Sequence, residues 1–187
     1  MNIILLGPPG AGKGTQALNI VNKFKLIQIS TGELLRNEIK NNTDIGKKII
    51  NSMNDGKFVS DEIVNKLMEK VVFDKEKKNK LIFDGYPRSI SQAKNLNLIL
   101  SNSNQKIDFI FFLNVDKDTI IKRIEKRKIL EKRSDDKLDT ILKRYDTYMK
   151  TTKPVLDFYD KNPNFHEIDG ALKIDEITAK IDNFLRV

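Results

Sequence analysis

The sequence predicts an α/β fold in which a five-stranded parallel sheet is flanked by helices. Three observations carry this expectation. Short apolar runs alternate with stretches of helical periodicity along the chain, and strands joined by helical crossovers lie parallel with both faces covered. The first run, Asn2 to Leu6, has the apolar character of a strand buried on both faces. A glycine-rich segment, Gly7 to Gly14, separates that run from the first helix. With 187 residues, no internal repeat and no low-complexity linker, a single domain accommodates the whole chain.

The elements follow in order. Helix is expected from the glycine-rich loop through about Phe24, then a second strand from Leu26 to Ile29. Ser30 and Glu33 fit a capping box for a helix running to about Lys40. Thr43 caps another that stops at Gly56, a natural C-terminal position for glycine. Ser60 and Asp61 open the next helix, which fades in the loop Asp74 to Lys80. Leu81 to Asp84 reads as a strand ending in a carboxylate, and Ser89 and Gln92 form a second capping box for a helix to about Ser101. Ile107 to Val115 is the longest expected strand, and Asp116 starts a helix to about Lys128. The charged segment Lys128 to Lys137 interrupts the pattern. Helix resumes to about Thr152, and Pro154 suits the first turn of a short further helix. Phe165 to Ile168 is the last strand, and Ile174 to Leu185 repeats apolar residues at helical spacing.

Composition narrows the function classes. Lys and Arg total 34 against 26 acids, a formal net charge of +8. Such a chain suits nucleic acid, an anionic membrane surface or small phosphorylated ligands. The basic set is 27 Lys and only 7 Arg, so the placement of the arginines discriminates among these. Cysteine is absent, which excludes disulfides and a thiolate zinc site and fits a reducing, cytoplasmic setting. No apolar run approaches the ~20 residues of a membrane span, and Met1 leads straight into a strand-like run without the layout of a signal peptide.

The segment Gly7-Pro-Pro-Gly-Ala-Gly-Lys-Gly-Thr15 sits between a buried strand and a helix, the context a phosphate-binding loop requires. Its glycines let backbone N–H groups turn inward around phosphate oxygens, and the helix adds its positive end. Lys13 supplies a mobile charge for the terminal phosphates. The hydroxyl comes one position later than in the general Walker pattern, at Thr15 rather than at Gly14. This variant resembles the loop of adenylate kinases and related nucleoside monophosphate kinases, which implies a P-loop NTPase fold and ATP contacts from Gly10, Ala11, Gly12, Lys13, Gly14 and Thr15.

The acceptor side extends the resemblance. Ser30-Thr-Gly-Glu-Leu-Leu-Arg36 resembles the segment opening the monophosphate-binding subdomain, with Thr31 and Arg36 as AMP contacts. Gly56-Lys-Phe-Val59 resembles the stretch that closes it, implying AMP contacts from Lys57, Phe58 and Val59. Asp84-Gly-Tyr-Pro-Arg88 puts a carboxylate where a Walker-B aspartate belongs. Its turn (Gly85, Tyr86, Pro87) swings Arg88 into the same cleft; the family usually has Phe in place of Tyr86. Gln92 serves either as a capping residue or, as the resemblance implies, as a reader of adenine, because an amide can pair with N6 and N7 together.

Arg123 and Arg127, spaced i, i+4, share one helix face. They form either a solvated basic face or, by resemblance, the pair facing ATP. Arg133 either pairs with Asp135 or Asp136 or, with Arg144, resembles the clamp on the transferring phosphoryl group and on AMP. Leu172 resembles the loop touching the ATP adenine. The implied organisation is a core of 1–29, 60–127 and 138–187, a mobile helical monophosphate-binding subdomain at 30–59 and a short lid at 128–137. The implied reaction is MgATP plus AMP giving two ADP, with Thr15 and Asp84 near Mg²⁺, no structural zinc and no general base. Lys13, Arg88, Arg123, Arg133 and Arg144 are the expected catalytic set, and a monomer without nucleic-acid or membrane partners is expected. Rival readings are a pyrimidine monophosphate kinase, a guanine-nucleotide switch (disfavoured because no Asn-Lys-x-Asp motif occurs) and a nucleic-acid-binding protein.

Overall fold

The structure, a computed structural model, describes residues 1–55, 57–131 and 138–186. Its strands are β1 (Ile3–Leu6), β2 (Ile27–Ser30), β3 (Leu81–Asp84), β4 (Phe109–Asn114) and β5 (Phe165–Asp169), all parallel, in the order β2-β3-β1-β4-β5. The helices are α1 (Lys13–Phe24), α2 (Thr31–Lys40), α3 (Asp44–Asn54), α4 (Asp61–Val72), α5 (Ile90–Asn102), α6 (Lys117–Glu131), α7 (Leu138–Thr147), α8 (Lys153–Tyr159) and α9 (Ile174–Leu185).

Alternation along the central strands assigns each residue to a face. Ile4, Leu6, Phe83 and Phe112 pack with residues of α4, α5 and α8, whereas Ile3, Leu5, Ile82 and Phe111 pack with residues of α1, α6 and α9. Burial on both sides explains why β1 is apolar at every position. The helical pair α2–α3 stands against the first of these cores through Leu35 and Ile49.

Boundaries deviate where local chemistry competes. β4 is shorter than the sequence predicts, because Asp108 has a side-chain role, its Oδ2 accepting from the Asn2 N–H at 2.7 Å. The backbone of α6 continues to Glu131, past the expected stop, since Arg, Lys, Leu and Glu are all good helix formers despite their charge. Gly56, the expected end of α3, and residues 132–137 of the expected lid 128–137 lie outside the described residues. Between α7 and α8 the path is helical throughout but includes one π-helical turn, Tyr148–Thr152. No helix among the described residues is long and apolar enough to cross a membrane.

Candidate active site

The carboxyl ends of β1 and β3 lie side by side, with Leu5 paired to Asp84. Chain order reverses here: β1 leads into β2, yet its neighbours are β3 and β4, which is where open α/β sheets form their ligand crevice. The loops beyond both strands enclose a cleft of about 570 Å³. Gly7, Gly10 and Gly12 hold positive φ in the loop after β1, so its backbone curls ahead of α1, whose first turn lines the cleft. Lys13 Nζ donates to the carbonyls of Gly7 at 2.8 Å and Pro8 at 2.9 Å.

Asp84 Oδ2 accepts from Gln28 Nε2 at 3.0 Å, and Thr15 lines the same cleft from α1. A Cβ at Gly14 would stand 3.7 Å from that carboxylate oxygen, so the start of α1 and Asp84 are close neighbours. Hydroxyl and carboxylate oxygens are the donors that hard divalent cations prefer.

Arg36 from α2, Arg88 from the loop after β3 and Arg144 from α7 line a smaller cavity of about 60 Å³. Arg88 is held at every polar position of its backbone and through its guanidinium. Its Nε donates to the Gly85 carbonyl at 2.7 Å and Nη2 to Thr31 Oγ1 at 3.4 Å, while Cζ lies 5.2 Å from the Phe58 ring centroid. Its N–H donates to Gln92 Oε1 at 2.7 Å, and its carbonyl accepts from Thr152 Oγ1 at 3.0 Å. Gly85 sits at φ +76°, and a side chain there would bring Cβ within 2.8 Å of Arg88 Nη2, so this turn needs glycine.

Burial, then the nearby Arg144 and Arg36 charges, push the Arg88 guanidinium down to about 10, with Asp84 pulling the other way. Arginine stays protonated at neutral pH even so. The cavity therefore concentrates positive charge that an anion relieves.

A family model described as adenylate kinase matches residues 5–164. The chain belongs to the adenylate kinase family. Reversible phosphoryl transfer between ATP and AMP is the activity that this membership carries, with the P-loop architecture described above as its scaffold. Curated adenylate kinases agree over the full length. That of Pelagibacter ubique is 49% identical with all of both chains covered. That of Mycoplasma mycoides is 42% identical over 96% of this chain and 94% of its own. That of Nocardioides is 36% identical over 100% of this chain and 98% of its own. The Pelagibacter alignment spans 213 positions against 187 residues here, so that relative carries residues without a counterpart in this chain.

Most residues in adenylate kinase register converge. Gly10 to Thr15, Arg36, Asp84, Gly85, Arg88, Arg123, Arg144 and Leu172 all line the main cleft. Lys57, Phe58 and Val59 line the smaller cavity, and Pro87 faces an adjoining one of about 70 Å³. Arg123 Nη1 also donates to the Ala11 carbonyl at 3.4 Å. The Arg127 side chain and the whole of Arg133 lie outside the described residues.

Three expected contacts are placed differently from a simple lining role. Thr31 is buried and its hydroxyl donates to the Gly85 carbonyl at 2.7 Å. The Tyr86 side chain turns into the core, its hydroxyl donating to Asn65 Oδ1 at 2.8 Å, so only its backbone is left for substrate. Gln92 is 3% exposed. Ser89 Oγ caps α5 through the Gln92 N–H at 3.1 Å, but the Gln92 oxygen takes the Arg88 N–H rather than that of Ser89, so the expected capping box is half formed.

Sequence reasoning missed Gln28, Asp61 and Thr152, all bonded to site residues. Gln28 alone had a legible signal, as a polar residue inside the second strand.

Proposed function

We propose that the chain binds MgATP along the glycine loop and AMP in the arginine-lined cavity, transferring the γ-phosphoryl group reversibly to give two ADP. Family membership carries the reaction. The observation that supports the residue assignments is the convergence of Arg36, Arg88 and Arg144, from three separate elements, on one cavity beside the Lys13 loop. Planar guanidinium groups grip phosphate in two places, which suits an acceptor that is itself a phosphate.

The nucleophile is an oxygen of AMP's own phosphate, ionised near neutral pH, so the protein has no proton to remove. Its work is positioning and spreading positive charge over the transferring group. Arg36 and Arg88 hold the acceptor phosphate; Lys13, Arg123, Arg133 and Arg144 surround the phosphoryl group in flight. Arg127 and Leu172 complete the ATP side; Thr31, Lys57, Phe58, Val59, Gln92 and the turn 85–87 surround AMP. Thr15 and Asp84 would hold Mg²⁺ directly or through water, and the ion would neutralise charge on the β- and γ-phosphates. His166 has no part, being stacked on Phe184 at a centroid distance of 3.9 Å in the last strand.

Segments 30–59 and 128–137 act as subdomain and lid, closing over the substrates to keep water from the γ-phosphate. The protein works as a cytoplasmic monomer, with no nucleic-acid or membrane partner. ADP formation from ATP with AMP, GMP, UMP and CMP in parallel tests the reading: a strong preference for AMP is expected, and a preference for a pyrimidine acceptor overturns it.

A further inference from the structure

Asp61 opens α4 and belongs to none of the phosphate-binding parts. Both of its carboxylate oxygens are nevertheless hydrogen-bonded at the start of α5. Oδ1 accepts from Gln92 Nε2 and Oδ2 accepts from Ser89 Oγ, each at 2.7 Å. At the other end of the same amide, Gln92 Oε1 accepts from the Arg88 N–H at 2.7 Å. A carboxylate oxygen only accepts and a peptide N–H only donates. Both contacts therefore demand the same orientation of the Gln92 amide. Turned over, it would set acceptor against acceptor at Asp61 and donor against donor at Arg88.

An amide nitrogen carries two protons and an amide oxygen two lone pairs. Each protein contact uses one, which leaves one donor and one acceptor in a fixed order. Adenine offers the complementary pair, its 6-amino donor beside a ring-nitrogen acceptor. In a 6-oxo purine the amino group is replaced by an acceptor, O6, and the match is lost. We propose that Asp61 is a positioning residue for base selection: by locking the Gln92 amide it makes the acceptor site choose a 6-amino purine over a 6-oxo purine. The proposal rests on the reading of Gln92 as the residue that faces the acceptor base. Cytosine shares adenine's amino polarity and uracil does not, so the lock opposes UMP but not CMP, which base size must exclude.

The test compares kcat/KM for AMP and IMP, with ATP as donor, in the wild type and in Asp61→Ala, Asp61→Ser, Ser89→Ala and Gln92→Ala, with a urea midpoint for each. Asp61→Ala leaves only Arg88 to hold the amide and is expected to lower the AMP/IMP ratio about tenfold, through KM for AMP more than through kcat. Asp61→Ser keeps a polar side chain that fits either amide orientation, and the ratio is expected to fall there too. Ser89→Ala removes the cap of α5 and one hydrogen bond to Asp61 but leaves both contacts of the Gln92 side-chain amide, so it lowers the urea midpoint and keeps the ratio. The lock is overturned if Gln92→Ala lowers the ratio while both Asp61 variants keep it, or if Ser89→Ala lowers it as far as they do. If Gln92→Ala itself leaves the ratio unchanged, the base-facing reading of Gln92 fails, and the lock with it.

Discussion

The Thr152 hydroxyl donates to the backbone carbonyl of Arg88 at 3.0 Å. This bond pins the π-helical turn downstream of Arg144 to the loop that carries Arg88, so two of the three arginines at the small cavity share one anchor. Thr152→Val keeps the shape and removes the donor. A stability loss of about 1–2 kcal/mol is expected by urea unfolding. KM for AMP should rise with little change in KM for ATP.

Lys13 is the only lysine of the glycine loop, and its ammonium is held over the carbonyls of Gly7 and Pro8. Lys13→Met removes the charge that the proposed function assigns to the terminal phosphates of ATP. Phosphoryl transfer is expected to fall at least about 100-fold, well beyond what any shift in the thermal midpoint explains. Steady-state rates and a thermal melt on one preparation separate the two effects.

Gly85→Ala combines strain with displacement. The residue holds φ +76°, and the new methyl would press on Arg88 Nη2 and Thr31 Oγ1. A destabilisation of about 1–3 kcal/mol is expected from the backbone conformation, together with loss of AMP affinity as Arg88 shifts. Isothermal titration with AMP checks the second effect independently of turnover.

Burial holds the His166 imidazole below its ordinary value of 6.5. The unfolded chain therefore binds this proton more tightly than the folded one. The stability is complete above about 6.5 and is lost as pH falls through the lower folded value. Urea midpoints at about pH 7.5 and pH 5.5 are expected to drop for the wild type and to drop less for His166→Phe, which keeps the stack on Phe184 and removes the titration.

Much of the site was legible because its chemistry is local. The glycine loop needs glycines and a lysine in a short span, and Arg36, Arg88, Arg123 and Arg144 stand out in a chain that otherwise uses lysine. The strand Leu81–Asp84 and the helix Ile174–Leu185 fall where apolar periodicity puts them. What the sequence hid is tertiary. Gln92 forms only half of the capping box its spacing suggests, because its oxygen takes the Arg88 N–H, and its amide nitrogen is held by Asp61, 31 residues away in the chain. Tyr86 looks like a site residue by position, yet Asn65 and Asn95 draw its hydroxyl into the core. Thr152 shows no local signal, since its partner is a carbonyl 64 residues earlier.

The proposed function has the arginine-lined cavity receive the acceptor phosphate. The decisive variant is Arg88→Ala, assayed by ADP formation at varied AMP with a parallel titration of ATP binding. The expected result is a loss in kcat/KM for AMP of about 100-fold or more with ATP affinity retained. Unchanged AMP-dependent turnover in Arg88→Ala would contradict the assignment.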